Sequence, residues 1–269
     1  MIETWTRGSA DANMPEAILT EQAALVRQHP WWLARARLIL AALKRNNVLP
    51  PSRVLDAGCG WGVTLESLEQ SGYVAAGMDI SRQALEMLQA DKHDRQLIEA
   101  DLTQSLSVAT DKRHFDAVLA LDVLEHLDDD QFALVQLGKL VRPGGLVLIS
   151  VPALPELFSD FDAIQGHRRR YLPETLSQLF VGTSLQLQQV LWWGAWMVPL
   201  LRFQRKPCNA AAGRTPSEIY NEYLRLPPWP APWLFRAAFA WEHRRCLTGR
   251  LRRGTSLIAI ARRIANENS

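Results

Sequence analysis

The sequence predicts an α/β protein built on an open, doubly wound sheet, with helices before it and a helical insertion before its last strand. Short apolar runs alternate with helical patterns between about residues 53 and 151, the rhythm of parallel βαβ units. The first apolar run passes through a glycine turn, Gly58-Cys59-Gly60-Trp61-Gly62, into the first helix of that series. The chain has 269 residues, 48% hydrophobic and 22% charged. That is ample for a buried core, and it excludes disorder, collagen and coiled coil.

Residues 15–46 read as two helices broken around His29-Pro30, with Trp31, Trp32, Leu38, Ile39 and Leu43 among their apolar positions. Pro50-Pro51 punctuates, and Val54-Leu55 begins the first strand. Residues 73–78 form the second strand and 81–90 a helix, with Ser81 as N-cap because its hydroxyl can accept from an unpaired first-turn amide. Residues 97–100 and 115–121 are the third and fourth strands, and 130–141 a helix. Residues 146–151 are the fifth strand, after the turn Arg142-Pro143-Gly144-Gly145. Beyond it, 173–180 reads as a helix, 185–191 as a strand and 256–261 as the last strand. The prolines between residues 192 and 254 argue for short helices and stiff turns. The organisation expected is an N-terminal helical cap over 1–49, a core over 50–191, an acceptor-side insertion over 192–254, and the closing strand and tail over 255–269.

A formal net charge of +2 conceals a division. Residues 1–150 carry 14 Lys or Arg against 20 Asp or Glu, whereas residues 151–269 carry 16 against 8. Of the 30 basic residues 25 are Arg, and six of the ten tryptophans fall between Trp192 and Trp241. Cys59, Cys208 and Cys246 form no CxxC pair, so neither a disulfide framework nor a zinc site is expected. Glu3, Arg7 and Asp11 interrupt any N-terminal signal core. The longest apolar uncharged run, residues 190–201, is short of the roughly 20 residues a membrane span needs. A cytoplasmic protein is expected, with contact at the inner membrane face as the further expectation.

The glycine turn carries the cofactor. A dinucleotide site wants G-x-G-x-x-G, but here the third glycine comes one residue early, at Gly62, and position 63 is Val. Asp56 stands just before the turn, where its charge would repel a pyrophosphate. A carboxylate there suits a cationic ligand rich in donors, such as S-adenosylmethionine. Asp79, 21 residues after Gly58, ends the second strand with Ile80 beside it, where a doubly wound sheet offers an acid to ribose hydroxyls. Asp101 ends the third strand, placed to accept from an adenine amine while the Leu102 amide meets the ring. Leu121, at the end of the fourth, completes the set with Gly58, Cys59 and Gly60; Cys59 reads as a small packing residue.

The runs VLDAGCGWG, GMDIS, EADLT, FDAVLALDVLEHLDD and LVRPGGLVLISVP, in that order, resemble the class I SAM-dependent methyltransferases over about residues 50–155. HPWWLARAR, the GHRRRY loop and the Trp- and Pro-rich insertion are similar to those of a bacterial subgroup. The resemblance implies a Rossmann-like sheet of seven strands, the last antiparallel and inserted near the edge. It also implies that Arg35 reaches the methionine carboxylate.

Acceptor groups belong at the carboxyl ends of strands four and five. His126 lies after strand four. Helical spacing would put it on one face with Asp122 and Glu125, a trio like the acid-x-x-Glu-His set of ubiquinone-pathway O-methyltransferases. No metal is expected, and that trio is the candidate should one bind. His167, with Arg168, Arg169, Arg170 and Tyr171, lies in the loop after strand five. Here His167 could act as a general base and the arginines bind an anionic acceptor, with His126 and Tyr171 as further catalytic candidates. Trp192, Trp193, Trp196, Trp229, Trp233 and Trp241, interleaved with Arg202, Arg205, Lys206, Arg236, Arg244 and Arg245, pack the insertion, line an acceptor pocket or touch anionic lipid. Nucleic acid is not expected. The reading is a methyltransferase acting at oxygen on a small-molecule, sugar or lipid-linked acceptor. The alternatives are a non-catalytic SAM-binding module and a nicotinamide-dependent oxidoreductase.

Overall fold

A computed structural model describes residues 1–6, 21–106, 114–204, 213, 215–225 and 231–264. Arg7, Asp11, residues 15–20, Arg205, Lys206, Cys208 and Trp229 lie outside them. Strands β1 (Ile2–Thr4), β2 (Arg53–Ala57), β3 (Val74–Asp79), β4 (Gln96–Glu99), β5 (Phe115–Leu121), β6 (Val141–Pro152), β7 (Leu185–Trp193) and β8 (Ser256–Arg263) form one sheet. Their order is β1-β4-β3-β2-β5-β6-β8-β7. Only β8 runs against its neighbours, pairing antiparallel with β6 and β7.

Eight strands stand where seven are expected. The additional one is β1, which pairs with β4 at the edge. Three residues with only Ile2 buried carry too little pattern to announce a strand. The chain order reverses between β2 and β5, which pair directly. A crevice opens outside their carboxyl ends at such a switch point. The central strands are apolar along their length because helices cover both faces. In β5, Ala117, Val118, Leu119 and Ala120 are all fully buried.

Helices α1 (Ala23–Gln28) and α2 (Pro30–Arg45) are separated at His29. Pro30 has no N–H to continue α1, and the His29 ring accepts from the Trp31 amide at 3.2 Å, capping α2. Helix α3 (Val63–Gln70) leaves the glycine turn. Ser81 caps α4 (Arg82–Asp91) by accepting from Ala84 N at 3.2 Å, and Asp129 caps α5 (Asp130–Leu140) through Phe132 N at 2.8 Å.

Residues 142–145 are a bulge inside β6 instead of a turn ahead of it, since Phe115 pairs with Val141 and Ala117 already with Leu146. A Cβ on Gly145 would come within 2.9 Å of the Asp116 carbonyl oxygen, so the bulge needs glycine. Two short helices follow, α6 (Asp160–Ile164) and α7 (Pro173–Gln178). Beyond β7 come α8 (Met197–Gln204), α9 (Pro216–Leu224) and α10 (Ala231–Leu247). At 17 residues α10 is longer than the proline spacing suggests. Its Phe239 packs on Trp193 and Trp196, with ring centroids 5.5 and 5.0 Å apart. Trp193 is wholly buried, so these two tryptophans fasten the insertion to the sheet.

Candidate active site

A cleft of about 540 Å³ opens at the carboxyl ends of β2 to β5. Its lining includes Arg35, Asp56, Gly58, Cys59, Gly60, Asp79, Ile80, Asp101, Leu102 and Leu121. These are all ten residues that the sequence assigns to the cofactor. The turn is bound to the end of β3. Gly58 N and Cys59 N donate to the Met78 carbonyl at 2.7 and 3.0 Å, and Gly60 N donates to Asp79 Oδ2 at 2.8 Å. Ser81 N donates to the other Asp79 oxygen at 2.9 Å. Gly58 has φ +76, and a Cβ there would lie 2.3 Å from Val123 Cγ2, so only glycine permits this approach.

Burial pushes the Asp56 carboxyl up to about 7; the Arg35 guanidinium opposes that shift and Asp79 adds to it. Asp101 is buried, its amide donating to Thr6 Oγ1 at 2.7 Å. Its carboxylate accepts from Thr103 N at 2.8 Å and Gln104 Nε2 at 3.0 Å. Arg35 ion-pairs with Asp122, lies 4.9 Å from the Trp31 ring centroid, and keeps a buried Nε with no hydrogen-bond partner among the described residues. Burial, Asp79 and Asp56 raise the Cys59 thiol well above its ordinary value. Cys59 is buried in a cluster with Leu65, Leu85, Leu88 and Leu97.

On the acceptor side the structure regroups the candidates. Asp122, Glu125, His126 and His167 all line the cleft. Asp122, however, sits at φ 59 and is held by Arg35 and by Ser150 Oγ at 3.0 Å. The expected trio therefore loses Asp122 and gains His167: ligand atoms of Glu125, His126 and His167 lie within 4.8 Å of one another. Residues 124–126 form a single 3₁₀ turn, which does not carry the helical face that the sequence spacing implied. Both Glu125 oxygens and His126 Nδ1 are buried without a hydrogen-bond partner among the described residues. Burial, reinforced by Asp122, raises the Glu125 carboxyl well above its ordinary value. Burial and the adjacent His167 lower His126 to about 3. The His167 Nδ1 lies 3.2 Å from Asp162 Oδ1, and its Nε2 faces Glu125 Oε1 at 3.9 Å.

Tyr171 does not line the cleft. It is 3% exposed and donates to Asp130 Oδ2 at 2.7 Å, anchoring the loop. The arginines beside it are also engaged within the chain. Arg168 donates to the His126 carbonyl at 2.7 Å, Arg169 to the Leu127 carbonyl at 3.0 Å, and Arg170 to Asp162 at 2.8 Å. Arg168 and Arg169 fix the loop onto residues 126–130 and Arg170 ties it to Asp162 and the Ala153 carbonyl, instead of presenting three open cations to an anion. Trp61, Phe161, Met197, Leu201 and Tyr223 also line the cleft. Tyr223 is set there by donating to Asp160 Oδ1 at 2.8 Å. Met197, Leu201 and Tyr223 fall in the segment 192–254 expected on the acceptor side, and Trp61 in the glycine turn.

These residues fit S-adenosylmethionine: three strand-end carboxylates accept from amine and hydroxyl donors, and a buried cation can face a carboxylate. A family model described as a methyltransferase domain matches residues 31–190, more than half of the chain. Among curated relatives, the ubiquinone biosynthesis O-methyltransferase of Alkalilimnicola ehrlichii is 35% identical over 100 residues, 36% of this chain. The chain spans only 40% of that relative's length. Among solved structures, a chain of the complex between the Haloferax volcanii Trm112 methyltransferase activator and a protein designated a methyltransferase superposes with TM-score 0.59 at 16% identity. That match covers 94% of this chain and 97% of the other. The [4+2]-cyclase SpnF gives TM-score 0.54 at 16% identity, over 86% of this chain and 82% of its own. The sheet alone is thus shared with different chemistry. Family match, fold and cleft agree: the chain belongs to the methyltransferase domain family, with the class I SAM-dependent fold.

Proposed function

We propose that the protein transfers a methyl group to an oxygen of a small-molecule, sugar or lipid-linked acceptor, with His167 taking the acceptor's proton. The placement of His167 carries this reading: a side chain 9% exposed, in the cleft, with one ring nitrogen against Asp162 and the other turned toward Glu125 and His126. The name of the Alkalilimnicola relative supports oxygen as the acceptor atom.

The bound cofactor would supply an electrophilic methyl group on a sulfonium. Asp56, Asp79 and Asp101 would accept from its donors, and Arg35 would face its carboxylate. Asp162, itself held by Ser159 and Arg170, fixes the His167 tautomer: Nδ1–H donates to Asp162, and the Nε2 lone pair is left to accept a proton. Trp31, Phe161 and Leu201 keep water from the reacting atoms and hold an acceptor in line. Turnover is measured as S-adenosylhomocysteine formed with a cell extract as acceptor source. His167→Gln is expected to lower it by about 10²–10⁴-fold, the usual worth of a general base. Binding of S-adenosylhomocysteine should be unchanged. Unaltered turnover in the variant would remove His167 as the base, and no binding by the wild type would end the cofactor reading.

The unpartnered Glu125 oxygens and His126 Nδ1 favour one second reading, in which the Glu125–His126–His167 cluster holds a divalent cation that orients the acceptor oxygen. Calorimetric titration with Mn²⁺ decides it. That reading predicts one site in the wild type and none in Glu125→Gln; the base reading predicts no site in either.

A further inference from the structure

We propose that the outward face of α10 is a docking surface for an anionic lipid bilayer. This surface lies outside the cleft, and the inference stands whether or not the acceptor reading holds.

Helix α10 has two apolar faces. Phe239, Glu242 and Cys246 are buried at 2%, 0% and 0% exposure, and this face packs on α2 and β7. A surface helix ordinarily turns polar residues the other way. Here the other way holds Trp233, Leu234 and Trp241, exposed at 63%, 51% and 60%. Exposed Arg236, Arg244 and Arg245 stand among them. The Arg245 guanidinium lies 4.6 Å from the Trp241 ring centroid.

The charge on this face has one sign. Between residues 231 and 247 the helix has three arginines, Arg236, Arg244 and Arg245, and a single acid, Glu242. That acid is withdrawn into the core, where its carboxylate accepts from the Gly194 and Ala195 amides. Tryptophan with arginine suits the headgroup layer, where a ring finds an apolar side and a polar one and a guanidinium meets phosphate. Among the described residues no helix is long and apolar enough to cross a membrane, so the contact would lie along the surface.

A second copy of the chain fits less well, because a two-fold contact would set this face against itself, arginine against arginine. A nucleic acid would meet the charge but leave Leu234 without a partner. Helix α8 also carries an exposed apolar side chain, Phe203 at 92%, while its Leu201 lines the cleft.

The test is flotation of the full chain with vesicles of phosphatidylcholine alone or with an equal part of phosphatidylglycerol. Binding to the anionic vesicles is expected to exceed the neutral by about tenfold or more. It should fall on moving from about 0.1 M to about 1 M salt, where the screening length drops from about 10 Å to about 3 Å. The double variant Trp233→Ala, Trp241→Ala should lose most of it while melting and binding S-adenosylhomocysteine as the wild type does. Equal flotation on both lipids, or none, would overturn the proposal. So would a double variant that floats undiminished, or light scattering that shows a dimer abolished by the same substitutions.

Discussion

Near neutral pH the Asp56 carboxyl, raised to about 7 by burial, is divided between its neutral and ionised forms. A ligand ammonium brought to the cleft favours the ionised form. Binding of S-adenosylhomocysteine should therefore release a proton at pH 6 and little at about pH 8.5, the group being already ionised above its raised value. Calorimetry at pH 6 in two buffers of different ionisation enthalpy reads that proton directly, and Asp56→Asn should abolish it. A buffer-independent enthalpy in the wild type would refute the assignment. At this scale the cleft-lining residues proposed for the cofactor were legible because all but Arg35, which lies on α2, sit at or beside a strand end or in the glycine turn. Tyr171 and the three arginines were not. Nothing in GHRRRY tells a loop side chain that its partner is Asp130, Asp162 or a carbonyl some 40 residues earlier in the chain.

Among the elements, one acid adds to the tryptophan contacts that fasten the insertion. Glu242 on α10 accepts from the amides of Gly194 and Ala195, just ahead of α8, whose Met197 and Leu201 line the cleft. Glu242→Ala would leave two donors unpaired, at about 1–3 kcal/mol for each one that stays buried. The expected result is a melting temperature lower by several degrees, read by thermal denaturation. Glu242→Gln, which retains one oxygen, should recover part of it. A melt identical to the wild type would mean that water satisfies these amides. The helices of the core announced themselves through caps such as Ser81 and through apolar spacing. The long α10 did not, because a helix apolar on both faces shows little periodicity to read. Likewise β1 is too short to carry an alternating pattern, and its pairing with β4 spans more than 90 residues.

For the whole molecule, both halves of the chain contribute to the cleft. The strand-end acids Asp56, Asp79 and Asp101 come from the front half. His167 and the cleft-lining residues of α8 and α9 come from the back, which also carries the arginines of α10 outside the cleft. The alternation of apolar runs and helices was enough to obtain the sheet and its switch point. The regrouping of Glu125 and His126 with His167 was not available that way, because it depends on how a loop after β6 folds back over the turn after β5.

The place of β8 has a further consequence. It lies between β6 and β7 although it follows both in the chain, and β7 pairs with no other strand. During synthesis β7 therefore emerges with no strand to hydrogen-bond to, and the α8–α10 segment is made before β8, the partner of β7, exists. On a ribosome adding about 5–20 residues per second, that is several seconds of exposed strand edge. The final residues of the sheet thus close two seams at once, and the cofactor half can be complete before the acceptor half has a scaffold.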